Sequence, residues 1–345
     1  MRIIVDAMGG DLAPQAMVEG AVQAAQELNL PITLVGREQA IRACLKEQNI
    51  QALPKQMEIR DASDVVDMHD EPATVLKKRK DSSMIVGLQM LRDGEGDAFV
   101  SAGSTGALLS AATLLVRRIR GIRRAAMGPV IPTKKGGALL IDCGATAECT
   151  PEFLLQFACM GAIYARTVLG VQEPRVALLN IGTEDSKGTE LQKQSYLLLR
   201  RAGEQGLIRF IGNIEARDVP LGGADVVVSD GYTGNILLKG IEGTALFLAD
   251  MMKGMFKKNL LTKLAAVLCM DGIRSFKKTM DYRQTGGTAL IGLTKPVIKA
   301  HGSSDALAMK NAIRQAAEAV QANVAEKIAA NIDAMRIPKE QNDAE

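Results

Sequence analysis

Residues 225–235 read Asp-Val-Val-Val-Ser-Asp-Gly-Tyr-Thr-Gly-Asn, and this stretch indicates the fold class of the whole chain. Three consecutive valines bounded by polar residues predict a short buried strand at 225–228. Residues 229–231 predict a turn, and Thr233 is a candidate N-cap for a helix that begins near Gly234. A strand that leads through a glycine turn into a helix offers free backbone N–H groups to an anion. An ordinary strand-to-helix connection is the alternative interpretation of this stretch taken alone.

Short apolar strands alternate with helices along the rest of the chain. Such alternation predicts an α/β fold with three α/β/α layers and a largely parallel sheet. We find no linker and no internal repeat, so residues 1–337 are predicted to form one two-lobed domain with a frayed tail at 338–345. The expected helices include 74–91 and a final helix that reaches about residue 335. The other predicted strands are 3–6, 32–35, 58–61, 98–101, 138–142, 175–181, 208–212, 288–293 and 297–300.

Composition narrows the class of protein. The 345 residues are 47% hydrophobic and 23% charged, which is typical of a soluble globular protein. A net charge of +3 and only 3% aromatic residues argue against nucleic-acid binding. Five cysteines without tight metal spacing and two histidines favour reduced thiols and predict no metal and no cofactor.

Asp6 follows Met1 too closely for a secretory signal, which favours the cytoplasm. The uncharged run 98–116 is interrupted by small polar residues, so we expect strand, loop and helix rather than a membrane span.

Five loops that follow predicted strands share glycine and small polar residues: 6–11, 101–106, 142–146, 180–188 and 229–235. The carboxyl ends of parallel strands lie at one edge of a sheet, so these loops are expected to meet in one crevice. Free N–H groups and small side chains suit a phosphate. Lys187 is a candidate for the positive charge, with a solvated helix lysine as the alternative. Neither a Walker motif nor G-x-G-x-x-G is present, so the sequence gives no support for nucleotide binding.

Histidine chemistry has little basis in this chain. His69 lies among carboxylates in a polar loop, where a surface position is expected, and His301 is a candidate to line the crevice. Bound phosphate avoids the need for a protein nucleophile, since it is itself nucleophilic near neutral pH. The protein then has to position phosphate and stabilise an oxyanion.

A separate feature is residues 117–124, where five arginines in eight residues predict either a solvated helix end or a docking site for an acidic partner.

Six motifs, in the same order along nearly the whole chain, resemble the PlsX family. The first three are Asp-Ala-Met-Gly-Gly-Asp from Asp6, Ser-Ala-Gly-Ser-Thr-Gly from Ser101, and Asn-Ile-Gly from Asn180, which is followed by Lys187-Gly188. The other three are Gly-Asn-Ile-Glu from Gly212, Asp-Gly-Tyr-Thr-Gly-Asn from Asp230 and His-Gly-Ser-Ser from His301. The resemblance implies a homodimeric, membrane-associated phosphate acyltransferase with the fold of phosphotransacetylases and isocitrate/isopropylmalate dehydrogenases. Its substrates would be acyl-(acyl carrier protein) and inorganic phosphate, and its acyl-phosphate product would feed a downstream glycerol-3-phosphate acyltransferase. Ser104, Thr146 and Tyr232 depart from the residues that the family often has, although Ser104 and Thr146 keep a hydroxyl group.

The resemblance also implies roles for individual residues. Lys187 and Asn235 would hold phosphate and the thioester oxyanion, and Asp230 and the backbone amides of 103–106 would position them. The remaining substrate-binding candidates are Asp6, Gly9, Gly10, Gly103, Ser104, Thr105, Gly106, Asn180, Gly182, Gly234 and His301. Two rival functions remain open: a phosphotransacetylase that uses acyl-CoA, and a non-enzymatic membrane scaffold for lipid-synthesis enzymes.

Residues 245–282 are predicted to form an amphipathic helical arm, with a turn near 271–272. Between residues 251 and 280, seven lysines and arginines accompany one aspartate, while apolar residues recur at helical spacing. Such a helix suits an anionic membrane surface. The expected membrane-contacting residues are Lys257, Lys258, Leu261, Leu264 and Leu268. Packing against a partner subunit is the alternative.

Overall fold

The computed structural model describes residues 1–50, 52–280 and 282–335, and within them the predicted alternation of strands and helices is present. The strands are β1 (Ile3–Asp6), β2 (Ile32–Gly36), β3 (Met57–Asp61), β4 (Ala98–Ser101), β5 (Ala126–Gly128), β6 (Val130–Thr133), β7 (Gly136–Ile141), β8 (Arg175–Asn180), β9 (Arg209–Glu215), β10 (Val226–Val228), β11 (Gly287–Ile291) and β12 (Val297–Ala300). The helices are α1 (Gln15–Leu28), α2 (Glu38–Glu47), α3 (Val75–Lys78), α4 (Ser83–Asp93), α5 (Thr105–Leu115), α6 (Pro151–Thr167), α7 (Glu190–Glu204), α8 (Gly231–Lys257), α9 (Leu260–Leu268), α10 (Met270–Met280), α11 (Ala306–Gln321) and α12 (Val324–Ala330).

The strands are divided between two sheets. The first has the order β3-β2-β1-β4-β12-β11-β5, and the second has the order β6-β7-β10-β8-β9. Both are largely parallel; β11 runs antiparallel to both of its neighbours, and β6 runs antiparallel to β7. Strands β5 and β6 were not predicted, because Pro129 and Pro132 interrupt the apolar pattern there. Since Pro129 separates these two strands, the chain crosses from the first sheet to the second at this point.

Alternate side chains of each sheet enter different apolar layers. In β1, Ile3 and Val5 face the core that contains α1 and α11, whereas Ile4 faces the layer of α4 and α5. In β10, Val226 and Val228 join the core that contains α6, and Val227 faces the first turns of α8. All three valines are fully buried, with β7 on one side and β8 on the other. The predicted three-layer α/β/α fold is thereby confirmed.

Two predicted helices are divided in the structure. The prediction of one helix over 74–91 is wrong, because α3 ends at Lys78 and α4 begins at Ser83. Ser82 caps α4 by accepting the Ile85 N–H at 3.4 Å, so its hydroxyl favours a new start over continuation. The final helix also does not run unbroken to residue 335, since α11 ends at Gln321. Asn323, with φ +50°, adopts the left-handed conformation that interrupts a helix. The predicted tail, 338–345, and the last two residues of the predicted domain lie outside the described residues.

Helix α8 differs from the prediction at both of its ends. It begins at Gly231 rather than near Gly234, because Asp230, and not Thr233, is its N-cap. It then continues unbroken to Lys257, so no element boundary falls at residue 245. The connections within the arm lie at 258–259 and at 269, whereas the predicted turn at 271–272 is inside α10. None of the described helices combines the length and the apolar character needed to cross a membrane.

Candidate functional site

The glycine-rich loops fall into two groups, one at the carboxyl ends of each sheet's parallel strands. Residues 6–11, 101–106 and 299–305 end or follow β1, β4 and β12, and we call them the Asp6 cluster. Residues 142–146, 180–188 and 229–235 end or follow β7, β8 and β10, and we call them the Asp142 cluster. The five predicted loops therefore belong to two sheets rather than to the edge of a single one.

Asp6 is buried, and its carboxylate organises the first cluster. One oxygen accepts a hydrogen bond from the Ser101 hydroxyl at 2.7 Å, and the other accepts the Met8 N–H at 3.1 Å. The Ser101 oxygen in turn accepts the Gly103 N–H at 3.0 Å. Burial raises the pKa of Asp6, although these hydrogen bonds oppose the shift. Asp6 thus joins the loops after β1 and β4 and is committed to protein contacts.

The predicted glycines of this cluster permit close packing. A Cβ atom at Gly9 would lie 2.6 Å from Asp6 Oδ2 and 2.7 Å from the Gly103 nitrogen. Gly10 has φ +106°, a conformation that side chains disfavour. Along the loop that opens α5, Ser104 is buried whereas Thr105 and Gly106 are exposed.

Lys299, in β12, is a charged residue of this cluster that the sequence analysis missed. Its side chain is only 7% exposed, and its ammonium group donates to the carbonyls of Ala300 and, at 3.4 Å, Ala102. Burial lowers the pKa of Lys299 to about 8, while Asp11 and Asp6 oppose the shift. A lysine between Ile298 and Ala300 in an apolar strand was the available signal.

His301 and the third turn of α8 bring the two clusters into electrostatic contact. The His301 Nδ1 atom accepts the Ser303 N–H at 3.2 Å and lies 2.8 Å from the Ser303 hydroxyl. Burial lowers the pKa of His301, and the positive charges of Lys239 and Lys299 lower it further. Burial raises the pKa of Cys143 in the Asp142 cluster, and the positive charge of Lys239, on α8, opposes that shift. The charge of Lys239 on α8 therefore acts on a residue of each cluster.

Asp142, which was not among the predicted site residues, organises the second cluster. Its Oδ1 accepts the backbone N–H groups of Met127 at 2.8 Å and Cys143 at 2.7 Å, and its Oδ2 accepts that of Thr146 at 2.6 Å. Burial raises the pKa of Asp142 to about 6 in spite of these donors. Because Met127 belongs to β5, this carboxylate ties the second sheet to the first.

The first turn of α8 is packed onto this loop. A Cβ atom at Gly234 would lie 2.1 Å from the Asp142 carbonyl oxygen and 2.5 Å from Ser229 Oγ. The Asp230 carboxylate accepts both the N–H and the hydroxyl of Thr233 at 2.8 Å. Gly234 and Asp230, both predicted as site residues, thus fix the start of the helix.

Lys187 and Asn235 are exposed groups that stand on this rigid base. The Asn180 side chain donates to the Lys187 carbonyl at 3.1 Å and accepts the Ile181 N–H at 2.8 Å, which holds both ends of the 181–187 loop. The Lys187 side chain is 49% exposed, with its Nζ 3.9 Å from Glu184 Oε1. Gly182 packs beneath it, since a Cβ there would lie 3.0 Å from Lys187 Cγ. Asn235 is exposed, next to the 142–146 loop, where a Cβ atom at Gly144 would lie 3.9 Å from its side chain.

Neither a metal ligand set nor an activated thiol accompanies these donors. Within the described residues, no three His, Cys, Asp or Glu side chains are grouped to hold a metal. Burial raises the pKa of the Cys143 thiol to about 12 and that of the Cys149 thiol to about 12 as well. Both thiols therefore stay protonated at neutral pH, and a protonated thiol is a poor nucleophile.

The comparisons with known proteins agree with the geometry. Residues 1–327 match the family model described as "Fatty acid synthesis protein". The chain belongs to this family, the PlsX family. It is 47% identical to a phosphate acyltransferase of Heliobacterium modesticaldum, with 94% of this chain and 95% of that protein covered. It is 44% identical to one of Thermoanaerobacterium thermosaccharolyticum, with 96% and 97% covered. The family is one of enzymes that transfer acyl groups with phosphate as a reactant.

Solved structures share the fold at low sequence identity. A phosphotransacetylase from Streptococcus pyogenes superposes with a TM-score of 0.61 at 20% identity, covering 93% of this chain and 94% of that one. A 4-hydroxythreonine-4-phosphate dehydrogenase from Klebsiella pneumoniae gives 0.53 at 15% identity, covering 93% and 99%. The predicted likeness to the phosphotransacetylase fold is confirmed.

Proposed function

We propose that this phosphate acyltransferase moves the acyl group of acyl-(acyl carrier protein) directly to inorganic phosphate and so provides acyl-phosphate for phospholipid synthesis. The observation that carries the proposal is the pair Lys187 and Asn235, exposed donors on the rigid base of the Asp142 cluster. One cation and one amide suit an anionic nucleophile and an oxyanion without a protein nucleophile.

The reaction needs one addition and one elimination. A phosphate oxygen attacks the thioester carbonyl carbon and forms a C–O bond while the carbonyl electrons move to oxygen. Lys187 and Asn235 donate to this oxyanion and to phosphate. When the carbonyl forms again, the C–S bond breaks, the carrier thiolate leaves and takes a proton, and acyl-phosphate remains. Direct attack is supported by the protonated state of Cys143 and Cys149.

The identity of the thioester donor separates this proposal from its rival. Phosphotransacetylases share the fold, which favours acyl-CoA as a second candidate donor. The absence of nucleotide fingerprints from the sequence and the description of the family favour the carrier protein. Purified enzyme incubated with phosphate and each donor in turn is expected to release thiol and acyl-phosphate faster from the carrier protein. Preferential use of acyl-CoA would make the enzyme a phosphotransacetylase, and no product from either would favour a scaffold.

Residues 117–124 do not support docking of the carrier beside the Asp6 cluster. Their five arginines are exposed and lie in the loop that follows the end of α5. Arg118 pairs with Leu293, beyond the end of β11, and β11 runs antiparallel to β12. The loop therefore lies at the edge of the first sheet opposite to the Asp6 cluster.

We also propose that the arm binds an anionic membrane surface and that α8 contributes to a homodimer. Leu261 and Leu268 are 78% and 82% exposed, and the described side chains of α9 include none that is buried. Lys257 and Lys258 are exposed where α8 ends, next to these leucines, and Leu264 is exposed as well. On α8 itself, the exposed Phe247, Met251 and Met255 suit a partner subunit. Membrane binding would release a greasy product where lipid enzymes such as a glycerol-3-phosphate acyltransferase can take it up.

Co-sedimentation with anionic vesicles tests the arm. Leu261→Glu and Leu268→Glu are expected to lose binding, while Leu114→Glu, at a leucine that is 59% exposed outside the arm, keeps it. Equal binding by all three variants would show that the arm is a packing element only. Analytical ultracentrifugation measures the oligomeric state in parallel.

A further inference from the structure

A cavity of about 960 Å³ lies along α8 and begins at the Asp142 cluster. We propose that it holds the fatty acyl chain of the thioester and that Gly240 leaves the room for long chains. This inference rests on the proposed function, because it identifies the substrate part that the same site binds. Ligand cavities in proteins commonly measure about 300–1,000 Å³, so the volume suits a single long chain.

The cavity is defined on one side by a single face of α8. Its lining residues there recur every three or four positions: Thr233, Ile236, Leu237, Gly240, Ile241, Thr244, Ala245 and Leu248. Fifteen positions separate the first from the last, which is about 22 Å of helix at about 1.5 Å per residue. An extended backbone advances about 3.5 Å over three bonds, or about 1.2 Å per bond, so 22 Å accommodates about 18 carbons.

The two ends of the cavity differ in chemistry, which orients the chain. Asn180, Gly188 and Thr233, from the loops of the Asp142 cluster, line one end of the cavity, and Lys187 is the chain neighbour of Gly188. Toward the arm, the walls include Ala245 and Leu248. Because a thioester needs polar partners and a methyl terminus does not, the carbonyl belongs at the first end and the chain points toward the arm.

Gly240 lies near the middle of this face and has open space before it. A Cβ atom added there would meet no heavy atom within 4 Å. Glycine is a poor helix former, so the helix itself does not favour it at this position. Gly240 lies seven positions after Thr233, which is about 10 Å along the helix. A large side chain at residue 240 would therefore leave space for only about 9 carbons between Thr233 and itself.

The test uses two substitutions that should block the cavity at different depths and so shorten the longest acyl chain that the enzyme accepts. Gly240→Phe is expected to block chains beyond about 9 carbons, and Thr244→Phe, four positions further on, beyond about 14. Since each buried methylene strengthens binding about fourfold, the kcat/KM ratio of 16-carbon to 8-carbon thioesters should fall at least about 100-fold in Gly240→Phe. Gly243→Phe is the matched control, because it lies on α8, also faces open space and does not line the cavity.

Binding of a fluorescent 18-carbon fatty acid gives a readout that is independent of turnover. We expect loss of binding in Gly240→Phe and wild-type binding in Gly243→Phe, with thermal unfolding and sedimentation confirming that the fold and oligomeric state are unchanged. If Gly240→Phe misfolds, Thr244→Phe decides. Unchanged chain-length profiles and probe binding in the folded variants would overturn the cavity assignment. Probe binding that depends on residue 240 in an enzyme without acyl transfer would support the cavity and overturn the proposed function.

Discussion

The Asp6 and Asp142 clusters occupy equivalent places, at the carboxyl ends of two parallel sheets, yet they expose different groups. In the Asp6 cluster, the carboxylate of Asp6, the hydroxyl of Ser101 and the ammonium of Lys299 are all buried and bonded to protein. In the Asp142 cluster, the carboxylate is buried in the same way, but Lys187 and Asn235 remain exposed.

This difference indicates that the Asp6 cluster mainly supports the structure, whereas the Asp142 cluster presents groups that can act on a substrate. A buried polar group whose hydrogen bonds are satisfied within the protein has little capacity left for a substrate. Exposed donors on a fixed base can bind a charged ligand at small entropic cost, since the loops that carry them are already ordered. Substitutions in the first kind of position should change stability, and substitutions in the second kind should change turnover.

The largest expected effect is on the base of the Asp142 cluster. Gly234→Ala places a methyl group 2.1 Å from the Asp142 carbonyl oxygen, which is backbone and cannot move aside easily. We expect a loss of about 3 kcal/mol or more in the free energy of unfolding, or failure to fold. Gly243→Ala on the same helix has open space and should be neutral or stabilising by up to about 1 kcal/mol. Urea denaturation of both variants measures the contrast, and equal stabilities would contradict the proposed packing.

Next in size is the effect on the reactive surface. Lys187→Ala and Asn235→Ala should each lower kcat about 100-fold or more, the typical loss of an oxyanion donor, without destabilising the protein. Steady-state kinetics with saturating phosphate and thioester, together with thermal unfolding, measure the two properties separately. Near-normal turnover in either variant would remove that residue from the mechanism.

A smaller effect is expected at Lys299, and it depends on pH. Folding lowers the pKa of Lys299 from 10.5 to about 8, so between these values the unfolded chain binds the additional proton. The stability of the wild type should therefore rise from pH 8 to pH 10.5, relative to Lys299→Met, by about 2 to 3 kcal/mol. Urea denaturation of both proteins at pH 7.5 and pH 10 provides the comparison. A difference between the two proteins that does not change with pH would show that Lys299 titrates normally.

The smallest effect is expected at Glu184, which lies beside the reactive lysine. Its carboxylate is 3.9 Å from Lys187 Nζ and both groups are exposed, so their interaction is weak. Glu184→Gln removes a negative charge close to the proposed phosphate position and should lower the KM for phosphate by less than about fivefold. The effect should shrink as salt is added, because exposed charges are screened. A large fall in kcat would instead identify Glu184 as necessary for the placement of Lys187.

Local sequence patterns predicted the elements best where burial follows from the pattern itself. The valines of β10 are buried on both faces of the second sheet, as three consecutive apolar residues indicate. The pattern was less informative at element ends. Both Asp230 and Thr233 are good caps, and only the packing of Gly231 and Gly234 against the Asp142 loop decides that the helix begins at the earlier position.

The sequence predicted the loops of the candidate site, but it did not predict two of the buried charged residues that support them, Asp142 and Lys299. Lys187 was predicted from its place in a glycine-rich loop and Asn235 through a family motif, while Asp142 and Lys299 were overlooked. Their importance comes from partners far away in the chain, such as Met127 for Asp142 and Ala102 for Lys299.

By itself, then, the sequence determined the class of fold, the small polar loops after the strands and, through its motifs, the family. Hydrophobic periodicity and turn residues act over a few neighbouring positions, so one sequence is enough to read them. Only the tertiary structure decided that the strands form two sheets, that Asp6 and Asp142 are buried supports, and that α8 has a long cavity along one face. Each of these depends on contacts between residues distant in sequence, which no local pattern specifies.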